Sequence, residues 1–316
     1  MGFLVKGKWH DKWYDTKKDN GHFKRQASQF RQWIGSEAFP VEADRYHLIV
    51  SHACPWAHRT TIFRKLKALT NIISISVVKP VMLEHGWEMT HPDTHFSDVN
   101  YLYQLYLRTA PDYEGRVTVP VLWDLKQQRI VNNESSDIIR MFNSCFNKIT
   151  GHTTDYYPAQ LQSQIDAMNE LVYHRINNGV YKVGFSTDQA VYSQELHYLF
   201  EALQKIETIL SKSRYLCGST LTEADWRLFT TLIRFDSVYV GHFKCNLKRI
   251  HDYPHLSHYL KELYAMPGIK ETIHFDDIKT HYYVSHPMIN PTQIIPDGPQ
   301  LDLDEPHNRD LISSVK

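Results

Sequence analysis

The sequence predicts an α/β domain followed by an all-α domain, and three observations carry the prediction. An apolar β-branched run, a helical run and a second β-branched run follow one another between residues 45 and 78. That is a βαβ unit, and it implies a parallel strand pair. From about residue 156 the strand signals stop and apolar residues recur at helical spacing over long stretches. The composition, 42% apolar and 22% charged over 316 residues, is that of a folded chain with room for two ordinary domains.

Taken in order, residues 1–44 are polar and aromatic with weak periodicity and read as an extended arm wrapped on the fold. Residues 45–51, RYHLIVS, form a buried strand. Cys54 and Pro55 open a helix whose Ile62, Phe63, Leu66 and Leu69 share a face, and residues 71–78 supply the second strand. A long excursion over residues 79–118 carries Trp87 and a helix predicted over 99–107. The third strand, residues 119–124, has Pro120 near its start, which cannot donate a ladder hydrogen bond and argues against a central strand unless its peptide bond is cis or the site is an edge. Residues 129–132 make a short fourth strand, and Glu134-Ser135 start a helix that runs through Phe142. Helices are predicted over 160–177, 193–211, 222–235 and 253–265, the third opened by a capping box of Thr222 and Asp225. The predicted division is an extension over 1–44, an α/β domain over 45–150, an all-helical domain over 156–290 and a Pro- and Asp-rich tail over 291–316.

Charge and motifs narrow the function. Lys plus Arg and Asp plus Glu both count 35, so no long-range field recruits nucleic acid or an anionic membrane. No apolar run is long enough to span a bilayer, and the first residues lack a signal-peptide pattern, so a cytoplasmic enzyme is expected. The four cysteines, at 54, 145, 217 and 245, are scattered, as expected of free thiols in a reducing compartment. The pairs His91/His95 and His255/His258 have helical spacing, but no cysteine lies near either, and no metal site is expected. There is no phosphate-binding glycine loop, no dinucleotide fingerprint and no nucleophile elbow.

Cys54 is the chemical centre. It stands where a strand hands over to a helix, and the unsatisfied N–H groups of a first helical turn stabilise a thiolate. Pro55 suits the first helical position, and His58 and Arg59 follow one turn on. Position 57 is Ala, so Cys54 has no resolving partner in a C-x-x-C pair. A mixed disulfide on Cys54 must be resolved by an outside thiol, and glutathione is the abundant candidate.

The runs SHACPWAHR, TVPVLWD and NNESSDIIRMF resemble a glutathione transferase of thioredoxin-plus-helical build. GVYKVGF at 179–185, LTEADWRLFTTLIRFDSVYVGHFKCN at 221–246 and HYYVSHPMINP at 281–291 extend the likeness to the glutathionyl-hydroquinone reductases, the Xi class. The resemblance implies a thioredoxin-like N-terminal domain and a helical glutathione-transferase C-terminal domain. It also implies a homodimer that uses glutathione as co-substrate and needs no metal, flavin or nicotinamide. It makes Cys54 the nucleophile. The backbone of Val119, before a cis Pro120, would pair with the cysteinyl part of glutathione. Glu134 and Ser135 would hold its γ-glutamyl end, Trp87 would cover it and Arg116 would meet its glycyl carboxylate. Tyr181, Tyr239 and Tyr282 (or the adjacent Tyr283) would form the quinol site, with Tyr181 as proton donor. The alternatives are an omega-like thioltransferase or dehydroascorbate reductase, and a binding module of the same fold without catalysis.

Overall fold

The computed structural model describes residues 2–13, 16–90 and 94–312 and divides the chain into two compact units. Unit 1 comprises Met1–Trp13, Arg25–Thr154 and Thr272–Pro287; unit 2 comprises Tyr14–Lys24, Asp155–Glu271 and Met288–Lys316.

In unit 1 the arm is more structured than its sequence predicts. Strands β1 (Phe3–Val5) and β2 (Lys8–His10) form a hairpin closed by positive-φ Lys6 and Gly7. After β3 (Tyr46–Val50), α1 (Pro55–Leu66) and β4 (Ile73–Leu83) come β5 (Gly86–Met89), α2 (Tyr103–Thr109) and β6 (Gly115–Arg116). The chain then runs through β7 (Val121–Asp124), β8 (Arg129–Asn132), α3 (Ser135–Ser144) and α4 (Asn147–Thr150). The strands make two sheets, β2-β1-β6 and β5-β4-β3-β7-β8. β3 and β4 pair in parallel from Tyr46–Ile73 to Val50–Val77, as the βαβ reading requires, while β7 and β8 run antiparallel. β3 is buried along its whole length. The Val119–Pro120 bond is cis, and Pro120 lies just ahead of β7, which pairs with β3 from Tyr46–Asp124 to Ile49–Val121 and with β8 across a register shift between Leu122 and Trp123.

Unit 2 holds α5 (Gln162–Leu171), α6 (Gly179–Gly184), α7 (Gln189–Leu210), α8 (Glu223–Arg234) and α9 (Pro254–Tyr264). Every residue of α8 is buried, so it is the axis of this unit. Its buried Asp225 closes the predicted capping box with Thr222 and also accepts from Tyr259 Oη at 2.8 Å. π-helical turns at Val172–Asn177 and Phe235–Tyr239 extend α5 and α8. The tail is fastened by Arg309, whose fully buried guanidinium donates to the carbonyls of Leu210, Ser213 and Arg214 at 2.5–2.7 Å.

One helix packs away from its sequence neighbours. The sequence reading ran the helical domain to residue 290, whereas α10 (Phe275–Ser285) belongs to unit 1 and lies on β4. Ser285 Oγ accepts from Met82 N–H at 2.9 Å, and His281 Nδ1 is 2.8 Å from Pro80 O. A strand that lacks a neighbour along part of its length exposes backbone groups, and α10 side chains satisfy two of them.

Candidate active site

Cys54 is the N-cap of α1, with extended backbone (φ −77°, ψ 121°) and Pro55 at the first helical position. Its carbonyl accepts the first intrahelical bond, from His58 N–H at 2.9 Å. Its own N–H donates to Ser51 O at 3.1 Å, which fixes the turn between β3 and the helix. The side chain is 9% exposed, and Sγ lies 3.5 Å from Val119 O, to which the protonated thiol donates. Cys54 and Val119, predicted from separate motifs, are therefore in contact.

Two arginines place positive charge around the same turn. The guanidinium carbons of Arg25 and Arg59 lie 4.7 and 4.6 Å from the ring centre of Trp56. Buried Arg59 also reaches α3, donating through Nη1 to Ser135 Oγ at 3.4 Å. Ser135 is buried at the first position of α3, and Glu134 is the N-cap. Glu134 Oε1 accepts from Ser136 N–H and Oγ–H at 3.1 and 3.0 Å, and Oε2 accepts from Ser28 Oγ–H at 3.1 Å. Burial alone would push this carboxyl up. The bonds from Ser136, the charge of Arg59 and the bond from Ser28 outweigh it and hold Glu134 below the usual carboxylate range.

The other predicted residues make their contacts elsewhere. Trp87, on β5, is 6% exposed and stacks on His281 of α10 with ring centres 4.9 Å apart. The Arg116 guanidinium donates to Gly2 O and Lys12 O at 3.3 and 2.9 Å and lies over the ring of Phe3. In unit 2, Tyr181 and Tyr239 come together, with ring centres 6.3 Å apart. They share a cluster with Phe23, Phe185 and Phe243. Gly184 is required there, because a Cβ at that position would sit 2.2 Å from the Phe243 ring. Tyr282 and Tyr283, both buried, lie on α10 in unit 1, where Tyr282 meets the His286 ring edge-on at 5.8 Å.

The remaining thiols differ from Cys54 in setting. Burial raises Cys145, pushes Cys217 up to about 11 and pushes Cys245 well above the ordinary thiol value. None of the four cysteines is in a disulfide. Of the histidine pairs, His255 and His258 lie on α9, where His258 Nδ1 accepts from Asn308 N–H at 3.1 Å, while His91 falls outside the described residues. Among the described residues there is no group of three or more metal-ligating side chains, and no helix long and apolar enough to cross a membrane.

Sequence reasoning missed Ser28, Arg25 and the two π turns. A π turn ends at Tyr239, and such turns recur at functional sites. Its only trace in the sequence is a helical run that continues past its predicted end.

Comparison with known proteins matches residues 53–145 to the family model of the glutathione S-transferase N-terminal domain and residues 189–262 to that of the C-terminal domain. The chain is similar to glutathionyl-hydroquinone reductase YqjG of Escherichia coli, at 54% identity over 98% of this chain and 99% of that one. A glutathione-bound structure of YqjG superposes with a TM-score of 0.90, covering 98% and 99% of the two chains. Glutathionyl-hydroquinone reductase PcpF of Sphingobium chlorophenolicum is 48% identical over 95% of this chain and 96% of its own. A Xi-class glutathione transferase from Natrialba magadii is 47% identical, with a TM-score of 0.93 over 98% of both chains.

Proposed function

Because this chain belongs to the Xi class of glutathione transferases, the glutathionyl-hydroquinone reductases, we propose that it reduces glutathionyl-hydroquinones to hydroquinones through Cys54. The Cys54 thiolate attacks the sulfur of the substrate. A sulfur–sulfur bond forms and the sulfur–carbon bond breaks, its electron pair passing to the ring carbon. That carbon takes a proton, with Tyr181 as the donor, and hydroquinone leaves. Glutathione is now held on Cys54 as a mixed disulfide. A second glutathione thiolate attacks the glutathione sulfur, releasing oxidised glutathione and the Cys54 thiolate. Two glutathione sulfurs are oxidised, and together they supply the two electrons.

The observation that carries this reading is the 3.5 Å contact of Cys54 Sγ with Val119 O. A peptide that pairs as a strand with Val119 presents its cysteine sulfur beside Cys54. Glu134 supports the γ-glutamyl end, since its low carboxyl is ionised at neutral pH and can accept from an ammonium group. Trp87 as the cover and Arg116 as the partner of the glycyl carboxylate belong to the same proposal, as does a quinol-binding role for Tyr282. The mutual contact of Tyr181 and Tyr239 supports their common role. A cytoplasmic homodimer completes the reading.

The test is a comparison of two reactions. A mixed disulfide expels a thiolate without help, whereas a glutathionyl-hydroquinone must protonate a carbon. Cys54→Ala should abolish both turnovers. Tyr181→Phe and Tyr239→Phe should depress hydroquinone release about 10²-fold or more and mixed-disulfide reduction little, general acid catalysis being worth about 10²–10⁴-fold. Equal losses in both reactions would mean that the tyrosines tune Cys54 or hold the fold, and no loss in either would move the omega-like thioltransferase reading ahead.

A further inference from the structure

Two histidines bracket Cys54 and reach the same distant stretch of chain. His52 precedes it by two residues in the turn after β3, and His58 follows by four on the first turn of α1. His52 Nδ1 lies 2.9 Å from Asp277 Oδ2. A carboxylate only accepts, so Nδ1 carries the hydrogen and donates. The His52 ring also stacks on His274, the N-cap of α10, with ring centres 3.6 Å apart and planes 8° from parallel. His58 Nε2 is 2.8 Å from Thr272 Oγ1. All of these groups belong to unit 1.

The βαβ turn closes without these bonds. Cys54 N–H already donates to Ser51 O, and Ala53 N–H to Ser51 Oγ. Nor is the His52–Asp277 pair a major source of stability, since its side chains are 24% and 34% exposed and such pairs contribute about 0–1 kcal/mol. What the contacts do is fix orientation. The imidazole is held at its edge by a carboxylate and on its face by a second ring, so the turn bearing it loses the freedom to swing. His274 suits the stacking role: burial, and then the charge of His52, push it below the ordinary histidine value, leaving a flat neutral ring at neutral pH.

We propose that His52 and Asp277, with His274, are positioning residues for Cys54: they clamp the turn that ends in the nucleophile to the N-terminal end of α10. The proposal rests on Cys54 as the nucleophile. The far half of the same helix carries His281 against Trp87, so α10 braces the thiol turn at one end and the tryptophan strand at the other. Clamping matters because a misplacement of about 1 Å in a reacting group costs on the order of 10²-fold in rate.

The experiment compares His52→Phe, Asp277→Ala, the double variant and Asp277→Asn, with kcat, the glutathione KM and Tm measured for each, and with Cys54→Ala alongside. His52→Phe keeps a ring on His274 and removes only the donor. The expected result is a fall in kcat of about 10-fold in His52→Phe and in Asp277→Ala, within the misplacement cost, with KM and Tm close to wild type. The double variant should be no worse than either single one, because both remove the same bond. Asp277→Asn should recover most of kcat, since its amide oxygen accepts the same hydrogen. Single variants within twofold of wild type, additive losses, or an Asp277→Asn as impaired as Asp277→Ala would each overturn the clamp. If Asp277→Ala does not fold, His52→Phe and Asp277→Asn decide alone. Full turnover in Cys54→Ala would instead overturn the nucleophile itself, whatever the clamp variants do.

Discussion

Replacing Glu134 with Gln separates its two jobs, capping α3 and holding an ammonium group. The carboxylate accepts three hydrogen bonds, two from Ser136 on one oxygen and one from Ser28 on the other. The Gln carbonyl can keep the Ser136 pair, and its amide can donate to Ser28 Oγ while the Ser28 hydroxyl turns to Asn133 O at 3.2 Å, so all three bonds remain but lose their charged partner. Hydrogen bonds to charged groups contribute about 1.5–3 kcal/mol and neutral ones about 0.5–1.5 kcal/mol. Weakening three by about 1 kcal/mol each, together with about 0.3–1 kcal/mol of charge at a helix N-terminus, costs about 3–4 kcal/mol. At roughly 2–4 °C per kcal/mol for 150–250 residues, Tm at pH 7 should fall by about 10 °C.

The pH dependence has a definite sign. Glu134 is held below the usual carboxylate range, so the unfolded chain takes up its proton first as pH falls. Its contribution is therefore complete above the unfolded value of about 4.3 and is lost as pH drops through the folded value. The Tm gap between wild type and Glu134→Gln, followed by thermal unfolding from pH 7 to pH 3, should be widest at neutral pH and close in acid. Titration calorimetry should show glutathione binding weakened about 30- to 150-fold, the equivalent of 2–3 kcal/mol for a lost charge partner. A gap that stays constant down to pH 3 would refute the charge argument. Glutathione affinity within threefold of wild type would refute the binding role.

Incubation with oxidised glutathione or iodoacetamide at pH 7 should modify Cys54 and leave Cys145, Cys217 and Cys245 largely untouched, because burial raises all three; peptide mapping by mass spectrometry reads this, and a main adduct elsewhere would refute it. Arg309→Met should leave three carbonyls at the end of α7 without their donor. At about 1–3 kcal/mol each, the loss is about 4 kcal/mol and a Tm fall of about 10 °C, and a fall under 3 °C would mean that the tail repacks.

How far the sequence could be read depended on the range of the forces that shape each element. β3 was legible because burial along its whole length writes an apolar run into the chain, and α1 because one buried face repeats at helical spacing, whereas β4, expected over 71–78, runs on to Leu83 with a mixed burial pattern. The helix expected over 99–107 begins instead at Tyr103. Val99 and Leu102 are buried like helical residues, but the backbone N–H groups of Asn100 and Tyr101 donate to Gln104 Oε1, which holds a turn where the pattern promised a helix. Strands of two or three residues, such as β1, β2 and β6, are too short to show any alternation. The π turn at Val172–Asn177 is tied to α8 through Asn177 Nδ2, which donates to Arg227 O and Thr231 Oγ1, fifty or more residues away. Local pattern carries none of that.

The candidate site divides along the same line. Cys54, Val119, Glu134 and Ser135 were legible because each stands at a junction whose backbone geometry the sequence announces: a strand end, a proline, a helix cap. Trp87, Arg116 and Tyr282 rested on motif likeness, because what an indole, a guanidinium or a phenol touches is set by chain remote in sequence, such as His281 and the arm carbonyls. The absence of a resolving thiol joins both kinds of knowledge. Sequence alone puts Ala57 where a C-x-x-C partner would stand, and the structure adds that burial raises every other thiol, which suppresses the thiolate an internal exchange would need. A disulfide formed on Cys54 in the proposed reaction then needs a thiol from outside the chain, and glutathione is such a thiol.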